Sequence, residues 1–457
     1  MMHTIFNNQS EFLSDRQKLF SVNIRSPGEA WQPVSLCNAR VGLRQTGIVS
    51  IGSFDFTGTV EVSVTFAQAI TSWKIRPLHD EVKARRMSDR EIGFTLIHPR
   101  KLSIEINGDT LNNLHLFAND LETSVPDPAG KGVVTYPPGI HHIGGDGFLR
   151  LQSGQTLYLP YGAVLKTKGI VCDHVDHVRI CGRGVVDLSE WMPVQTYDKT
   201  RPDTRGVCVT FARQITLEGI LFLNPNHYTV YVGQSDHVSI RNIKTISSSL
   251  WADGIDCMST THLEVDDVFL RTSDDCIAIY GHRWDFYGDT RHIRVRNSVF
   301  WADVAHPVMI GIHGWHEKEG DLIEDVLIEN IDILLHDEIL EQYQGALAVN
   351  AGDANVVRDI TFSGIRIEEV RAGQIFNIRV YKNDDYNPKP GQKIQNVIIR
   401  DVTYSGPDKA SEISGYDLER RVERVSIQNL VINGAVVLNP EDANIRIGPF
   451  VTGVTFS

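Results

Sequence analysis

The chain predicts an all-β protein, a right-handed parallel β-helix preceded by an antiparallel β-sandwich. Two observations carry this expectation. A short phrase recurs along the second two-thirds of the sequence, and the first quarter alternates polar and apolar residues between turn signals. No segment keeps an amphipathic helical period over three turns.

The recurring phrase is a polar residue, an alternating β-branched stretch, a polar or Gly-containing corner and a second strand. It reads H-V-R-I-C-G-R-G-V-V-D from His177, Q-I-T-L-E-G-I-L-F-L-N from Gln214 and H-V-S-I-R-N-I-K-T-I from His237. Further copies start at His262, His292, Asp325, Asp359, Asn396 and Arg424, at intervals of 37, 23, 25, 30, 33, 34, 37 and 28 residues from His177 onward. Such a spacing suits one coil of a β-helix, in which inward Ile, Val and Leu stack from coil to coil and no coil is stable alone. Leucine-rich repeats would need a helix per unit, and propeller blades a longer, more regular period. His177, His237, His262 and His292 share one coil position and read as corner residues, not as ligands.

Before the repeats, T-G-T-V-E-V-S-V-T-F and K-L-S-I-E-I-N-G-D have the period of two expected of half-buried strands. The Pro- and Gly-rich stretch S-V-P-D-P-A-G-K-G-V-V-T-Y, residues 124–136, marks the change. The expected division is a sandwich domain over 1–125 and a β-helix over 126–457, with 148–168 as its opening strands.

Composition narrows the function classes. The chain has 457 residues, a formal net charge of -13 and 42% hydrophobic residues. An acidic balance argues against nucleic acid or an anionic membrane as partner. No apolar run approaches the ~18 residues of a membrane span. The opening M-M-H-T-I-F-N-N-Q-S-E-F lacks a basic region followed by an apolar one, so a cytoplasmic location is expected. Cys37, Cys172, Cys181, Cys208, Cys257 and Cys276 include no C-x-x-C and are expected as buried thiols, with neither disulfides nor a zinc site.

Two acidic phrases stand out, A-D-G-I-D at 252–256 and S-D-D-C at 273–276. Asp253 and Asp274 are 21 residues apart, about one coil, and equivalent positions of neighbouring coils stack ~4.8 Å apart. Asp253, Asp274 and Asp275 are therefore expected to converge. Strand alternation would turn one of the adjacent pair inward, so the backbone has to break it there, and Gly254 permits an irregular path beside Asp253. On spacing alone the cluster suits a glycosidase acid–base set, a hard-cation site or a solvated acidic turn.

The pattern A-D-G-I-D … S-D-D-C-I-A-I resembles the D-G-x-D and D-D-C-I-A signatures of the polygalacturonase family, parallel β-helices that hydrolyse pectin with inversion. A longer likeness runs through F-W-A-D-V-A-H-P-V-M-I-G-I-H-G-W, D-V-L-I-E-N-I-D-I and V-V-R-D-I-T-F-S-G-I-R. Together with the acidic motifs, these resemble the related dextranase and isopullulanase family, which joins a β-sandwich to a β-helix and acts on neutral α-glucans. The resemblance implies an inverting glycoside hydrolase without cofactor or metal, acting on an oligosaccharide or polysaccharide. It implies Asp274 as general acid, with Asp253 and Asp275 holding the water.

Departures bear on the substrate. Polygalacturonases carry Asn-Thr where Leu250, Trp251 and Ala252 stand here, and their G-H-G is echoed only by Ala305-His306-Pro307. Their R-I-K, which meets the substrate carboxylate, has no counterpart in Q-G-A-L-A-V-N-A-G-D at 344–353. A uronate needs cationic recognition, so a neutral α-glucan is favoured, with galacturonan next. Arg379 and Lys382, one coil further, keep the second substrate open. A calcium-dependent lyase would want a basic residue beside the acids, and a non-catalytic carbohydrate-binding β-helix would not need three carboxylates. Candidate substrate contacts are Trp251, Asp256, His306, His313, Trp315 and Tyr280. Tyr280 opens the loop G-H-R-W-D-F-Y-G-D, which with Trp284 and Tyr287 is placed to cover substrate.

Overall fold

A computed structural model describes residues 3–5, 19–190, 205–317 and 320–457. These residues form strands, turns and two short 3-10 turns, with no α-helix among them. The sandwich comprises a six-stranded sheet that includes Gly47–Asp55, Arg100–Ile106 and Leu114–Asn119, and a five-stranded sheet built around Phe20–Arg25 and Val60–Phe66. Its core is Val22, Phe54, Val62, Phe94, Leu102 and their neighbours. Pairing is antiparallel with one exception: Leu114–Asn119 runs parallel to Gly47–Asp55. The chain between them crosses to the other sheet and back, which leaves both directions open to the returning strand.

From Val133–Thr135 onward all strand pairing is parallel, apart from one terminal hairpin, Val422–Ile432 with Ala435–Val436. One sheet stacks eleven short strands, from Phe148–Arg150 to Ile445–Ile447. The remaining β-helix strands form a second, twenty-stranded sheet, in which the first two strands of later coils fuse, as in Thr290–Ala302 and Leu322–Asp337. The β-helix thus begins before residue 148, in the Pro- and Gly-rich stretch itself.

The repeat phrase explains the corners. His177, Gln214, His237, His262, His292, Asp325, Asp359, Asn396 and Arg424 all adopt a left-handed backbone, with φ between 54 and 59 except for His262 at 52. A single left-handed residue turns the strand without interrupting its ladder, and Asn, Asp and His tolerate that conformation better than β-branched residues. Inward residues such as Ile255, Ile277, Val308, Leu347 and Phe376 form one register column and are almost fully buried. None of the six cysteines forms a disulfide, and all six are buried.

The sandwich packs along the β-helix through an apolar seam, in which Ile51 and Phe117 meet Phe269, Trp301 and Leu223. Three buried arginines at this seam are paired with acids. Arg271 is fully buried, holds Asp303 at 3.1 Å, donates to Asn113 at 2.9 Å and stacks 4.1 Å from Trp301. Arg183 holds Asp55 at 3.1 Å, and Arg76 holds Glu105 at 2.9 Å and Glu368 at 2.6 Å. Removing one partner of such a pair leaves an uncompensated buried charge, so these contacts fix how the sandwich lies on the coils.

Candidate active site

The two aspartates of S-D-D-C occupy the corner between Phe269–Thr272 and Ile277–Tyr280, outside either strand. This resolves the alternation problem. The corner is clamped by hydroxyls: Ser273 N–H donates to Ser247 Oγ at 2.9 Å, Ser273 Oγ to the Ser249 carbonyl at 2.6 Å, and Thr272 Oγ1 to the Asp274 carbonyl at 2.7 Å. One coil earlier, Asp253 occupies the corner before Ile255–Met258, and the amide of Gly254 bonds the Asp275 carbonyl at 2.8 Å. One coil later, the Cys276 amide bonds the His306 carbonyl at 2.8 Å. Asp253, Asp275 and His306 therefore form a column, one per coil.

Asp253, Asp274 and Asp275 each place a carboxylate oxygen within 4.8 Å of the others. Asp253 and Asp275 are buried and Asp274 is half-buried. Asp275 accepts from the His306 amide at 2.9 Å and from its Nδ1 at 2.7 Å, which holds Asp275 as the acceptor. Burial opposes charge on His306, but the Asp275 carboxylate outweighs it and raises the imidazole above its usual value. His306 Nε2 faces the Tyr343 carbonyl at 3.2 Å, and the two rings meet edge to face at 4.3 Å. Burial, then the Asp275 charge, push the Asp274 carboxyl up to about 8. Asp253 is raised by burial and by Asp256, Asp274 and Asp275. Asp256, fully buried, is raised by burial and by Asp275. Four acids this close cannot all ionise, so the cluster retains protons near neutral pH.

A water hydrogen-bonded to two carboxylates at ~2.7–2.8 Å each spans between four and five ångströms, roughly the spacing present here. The trio suits proton donation by one acid and water activation by another. It is also a geometrically possible cation site, as is the group Asp236, His237 and His262.

The outward residues of the eleven-stranded sheet line the neighbouring wall. Asp256 pairs in register with Ala278, and Met258 with Tyr280. Tyr280 is buried, its ring edge-on to His313 at 4.9 Å. Burial, then Arg283, hold His313 well below its usual value, so it is neutral. Trp251 is half-buried beside the first acidic site, its ring 6.4 Å from His227. Trp315 lies 4.6 Å from Tyr287 and 5.7 Å from His282, where it buttresses the covering loop. Arg379 is half-buried, 3.5 Å from Glu412. It continues the column of Tyr280, Gly311 and Asn350, three coils and so about 14 Å from Tyr280. Lys382 is exposed and tied to Asp384 at 2.6 Å.

Sequence reasoning missed several groups. Arg283, on the loop after the Asp pair, is half-buried and stacks 4.8 Å from Trp284 and 5.4 Å from Tyr280. Its charge acts on Asp253 and Asp256, opposing the rise of both. Arg205 is buried and also lies over the Trp284 ring, at 4.6 Å. Arg44, from a sandwich loop, lies 3.2 Å from Asp337 and 3.7 Å from Glu338, an acid near Asp274. An Arg beside Trp in a loop already marked as a substrate cover was the available signal for Arg283. Arg205 and Arg44 come from distant chain segments and carried none.

The sequence pattern of glycosyl hydrolases family 28 matches residues 162–441, which include both acidic phrases. The chain belongs to glycosyl hydrolases family 28. Among curated relatives, a probable polygalacturonase of Vitis vinifera is 22% identical over 214 residues, 45% of this chain and 41% of that protein. Exopolygalacturonase B of Aspergillus niger is 30% identical over 130 residues, 27% of this chain and 28% of that protein. These matches span less than half the length of either relative. Among solved structures, Dex49A from Penicillium minioluteum superposes with a TM-score of 0.61 at 12% identity, covering 94% of both chains. A family 28 exopolygalacturonase of Yersinia enterocolitica gives 0.53 at 13% identity, covering 92% of this chain and 98% of that one. Both likenesses concern the fold, which this family 28 chain shares from the sandwich to the last coil.

Proposed function

We propose that this family 28 protein hydrolyses O-glycosidic bonds, with Asp274 as general acid and Asp253 and Asp275 holding and activating the water. The observation that carries this is the arrangement of one cluster, in which three carboxylates each place an oxygen within 4.8 Å of the others and one of them is held by His306. Asp274 is pushed up to about 8 by burial and by Asp275, whereas Asp275 is fixed as an acceptor by two bonds from His306. One carboxyl is ready to protonate a leaving oxygen while its neighbour is ready to polarise water. Inversion is the expected outcome. The spacing is tighter than the about 6.5–9.5 Å common for inverting pairs, so product stereochemistry is a sharp test.

For substrate, Arg283 tips the reading toward an oligosaccharide bearing uronic acid, of the pectin type. It places a guanidinium on a half-buried aromatic wall beside the acids, where a sugar carboxylate gains a charge-assisted bond. The names of the curated relatives agree with this. The neutral α-glucan reading rests on the outward residues of Leu347–Ala351, Ala348 and Asn350, which carry no charge. A panel of defined neutral and galacturonic oligosaccharides, assayed by reducing-sugar release with the native chain and Arg283→Ala, separates the two. A uronic substrate is expected to lose about 10–100-fold in kcat/KM on losing a charged hydrogen bond of 1.5–3 kcal/mol. Turnover of neutral glucans alone, indifferent to Arg283→Ala, overturns the uronate reading.

A further inference from the structure

At the far end of the same short strands, where they turn into the next coil, a second cluster lies outside the hydrolytic site. Asp236 receives His237 Nδ1 at 2.8 Å on one carboxylate oxygen and His262 Nδ1 at 2.9 Å on the other. His237 and Asp236 belong to one coil and His262 to the next. The two imidazoles stack at 4.5 Å, and His262 stacks in turn on His292 at 4.7 Å. Thr261 Oγ1 bonds Asp236 Oδ1 at 2.7 Å. The carboxylate is thus oriented from behind, and the His262 ring plane is fixed from its far side. Orientation by outer groups of this kind accompanies metal ligands.

We propose that Asp236, His237 and His262 form a binding site for Zn2+, bridging two coils. Two imidazole nitrogens and one carboxylate oxygen form a ligand set that suits Zn2+ and related borderline ions, not Mg2+ or Ca2+. The distances nearly fit. Ligands about 2.0–2.1 Å from an ion, at angles between square and tetrahedral, lie roughly 2.9–3.4 Å from one another. The two nitrogens sit 2.8 and 2.9 Å from different oxygens of Asp236, so one imidazole has to shift toward the oxygen that the other already meets. Both imidazoles are about half exposed, at 57% and 49%, and His237, stacked on one face only, is the ring with room to make that adjustment. The ion takes the place of the two Nδ1 protons, each of which moves to Nε2 of its ring or, from a ring already protonated there, leaves to solvent, and water completes the coordination. All three candidate ligand atoms already lie within 4.8 Å of one another. The shared left-handed corner explains why histidines stack at these positions, but stacking alone does not direct two Nδ1 atoms onto opposite oxygens of one carboxylate.

The site is tested by isothermal titration of the full chain, stripped with chelator, against ZnCl2 and against MgCl2. The expected result is one equivalent of Zn2+ bound, with no saturable Mg2+ binding there. The double variant His237→Asn/His262→Asn is expected to weaken Zn2+ at least tenfold. Asn keeps the corner intact, as Asn396 does at the same coil position with φ 55. Folding is checked by far-ultraviolet circular dichroism, and glycosidase turnover is expected to be unchanged, because these residues stand outside the hydrolytic cluster. The thermal midpoint of the native chain, but not of the variant, is expected to rise with Zn2+. Zn2+ affinity equal in the native chain and the double variant overturns the proposal, as does the absence of saturable Zn2+ binding.

Discussion

The two ends of the short strands in the eleven-stranded sheet carry carboxylates that titrate in opposite directions. At the exposed end, burial opposes charge on Asp236 more than any one donor favours it, but bonds from Thr261, His262 and His237 together hold it well below the usual carboxylate range. At the other end, burial and mutual repulsion push Asp253, Asp256 and Asp274 up. Residue type is the same at both, and Asp253 and Asp274, like Asp236, stand where a strand meets a β-helix corner, whereas Asp256 lies within Ile255–Met258. The difference lies in solvent and in donors. An open corner with three donors keeps its charge and suits an ion. A closed corner with few donors keeps its protons and suits acid catalysis.

The largest effect expected from this contrast is at Asp274. Asp274→Asn removes the proton donor without changing side-chain size, and kcat is expected to fall about 10²-fold or more. Asp236→Asn, the matching change at the exposed end, is expected to leave kcat near the native value. Steady-state kinetics on the best substrate of the oligosaccharide panel checks both, and similar kcat losses in the two variants would erase the contrast. Next comes the loss of kcat/KM on uronic substrates in Arg283→Ala, which asks whether the guanidinium whose charge acts on Asp253 and Asp256 serves substrate.

The smallest effect is in the pH profile. In the proposed mechanism Asp274 acts when protonated, so activity is expected to be present below its value of about 8 and to be lost as pH rises through it. Glu338 contributes to that raised value. Glu338→Gln is therefore expected to move the alkaline limb of kcat to lower pH while leaving the acidic limb in place. A limb unmoved in Glu338→Gln separates this acid from Asp274 electrostatically.

Much of the architecture was legible in the sequence because a solenoid repeats its physics. Ile, Val and Leu recur at inward positions, and His, Asp, Asn or Arg recurs where a left-handed corner is required, so His237 and Asn396 betray the same geometry from 159 residues apart. The acidic trio was legible for the same reason, since one-coil spacing converts sequence separation into stacking. Contacts that depend on the path of loops were not. Arg283 reaches Asp253 and Asp256 only because its loop folds back over the sheet with Phe286 buried against Gly233. Arg44 reaches Glu338 only because the sandwich docks along the coils. His306 was legible as a motif echo, but its two hydrogen bonds to Asp275 depend on the Ala305 corner, whose left-handed φ of 64 no glycine announces. The pairing of His237 and His262 on Asp236 was likewise hidden, because a repeat explains why histidines align and says nothing of where their nitrogens point.

Proton NMR of the product formed in the first minutes of turnover, before mutarotation, tests most directly whether Asp253 and Asp275 activate water against the sugar while Asp274 protonates the leaving oxygen. The expected spectrum shows the anomer opposite to that of the bond cleaved. An initial product with retained configuration would require a covalent intermediate on one of these carboxylates and would contradict the water-activating role given to Asp253 and Asp275.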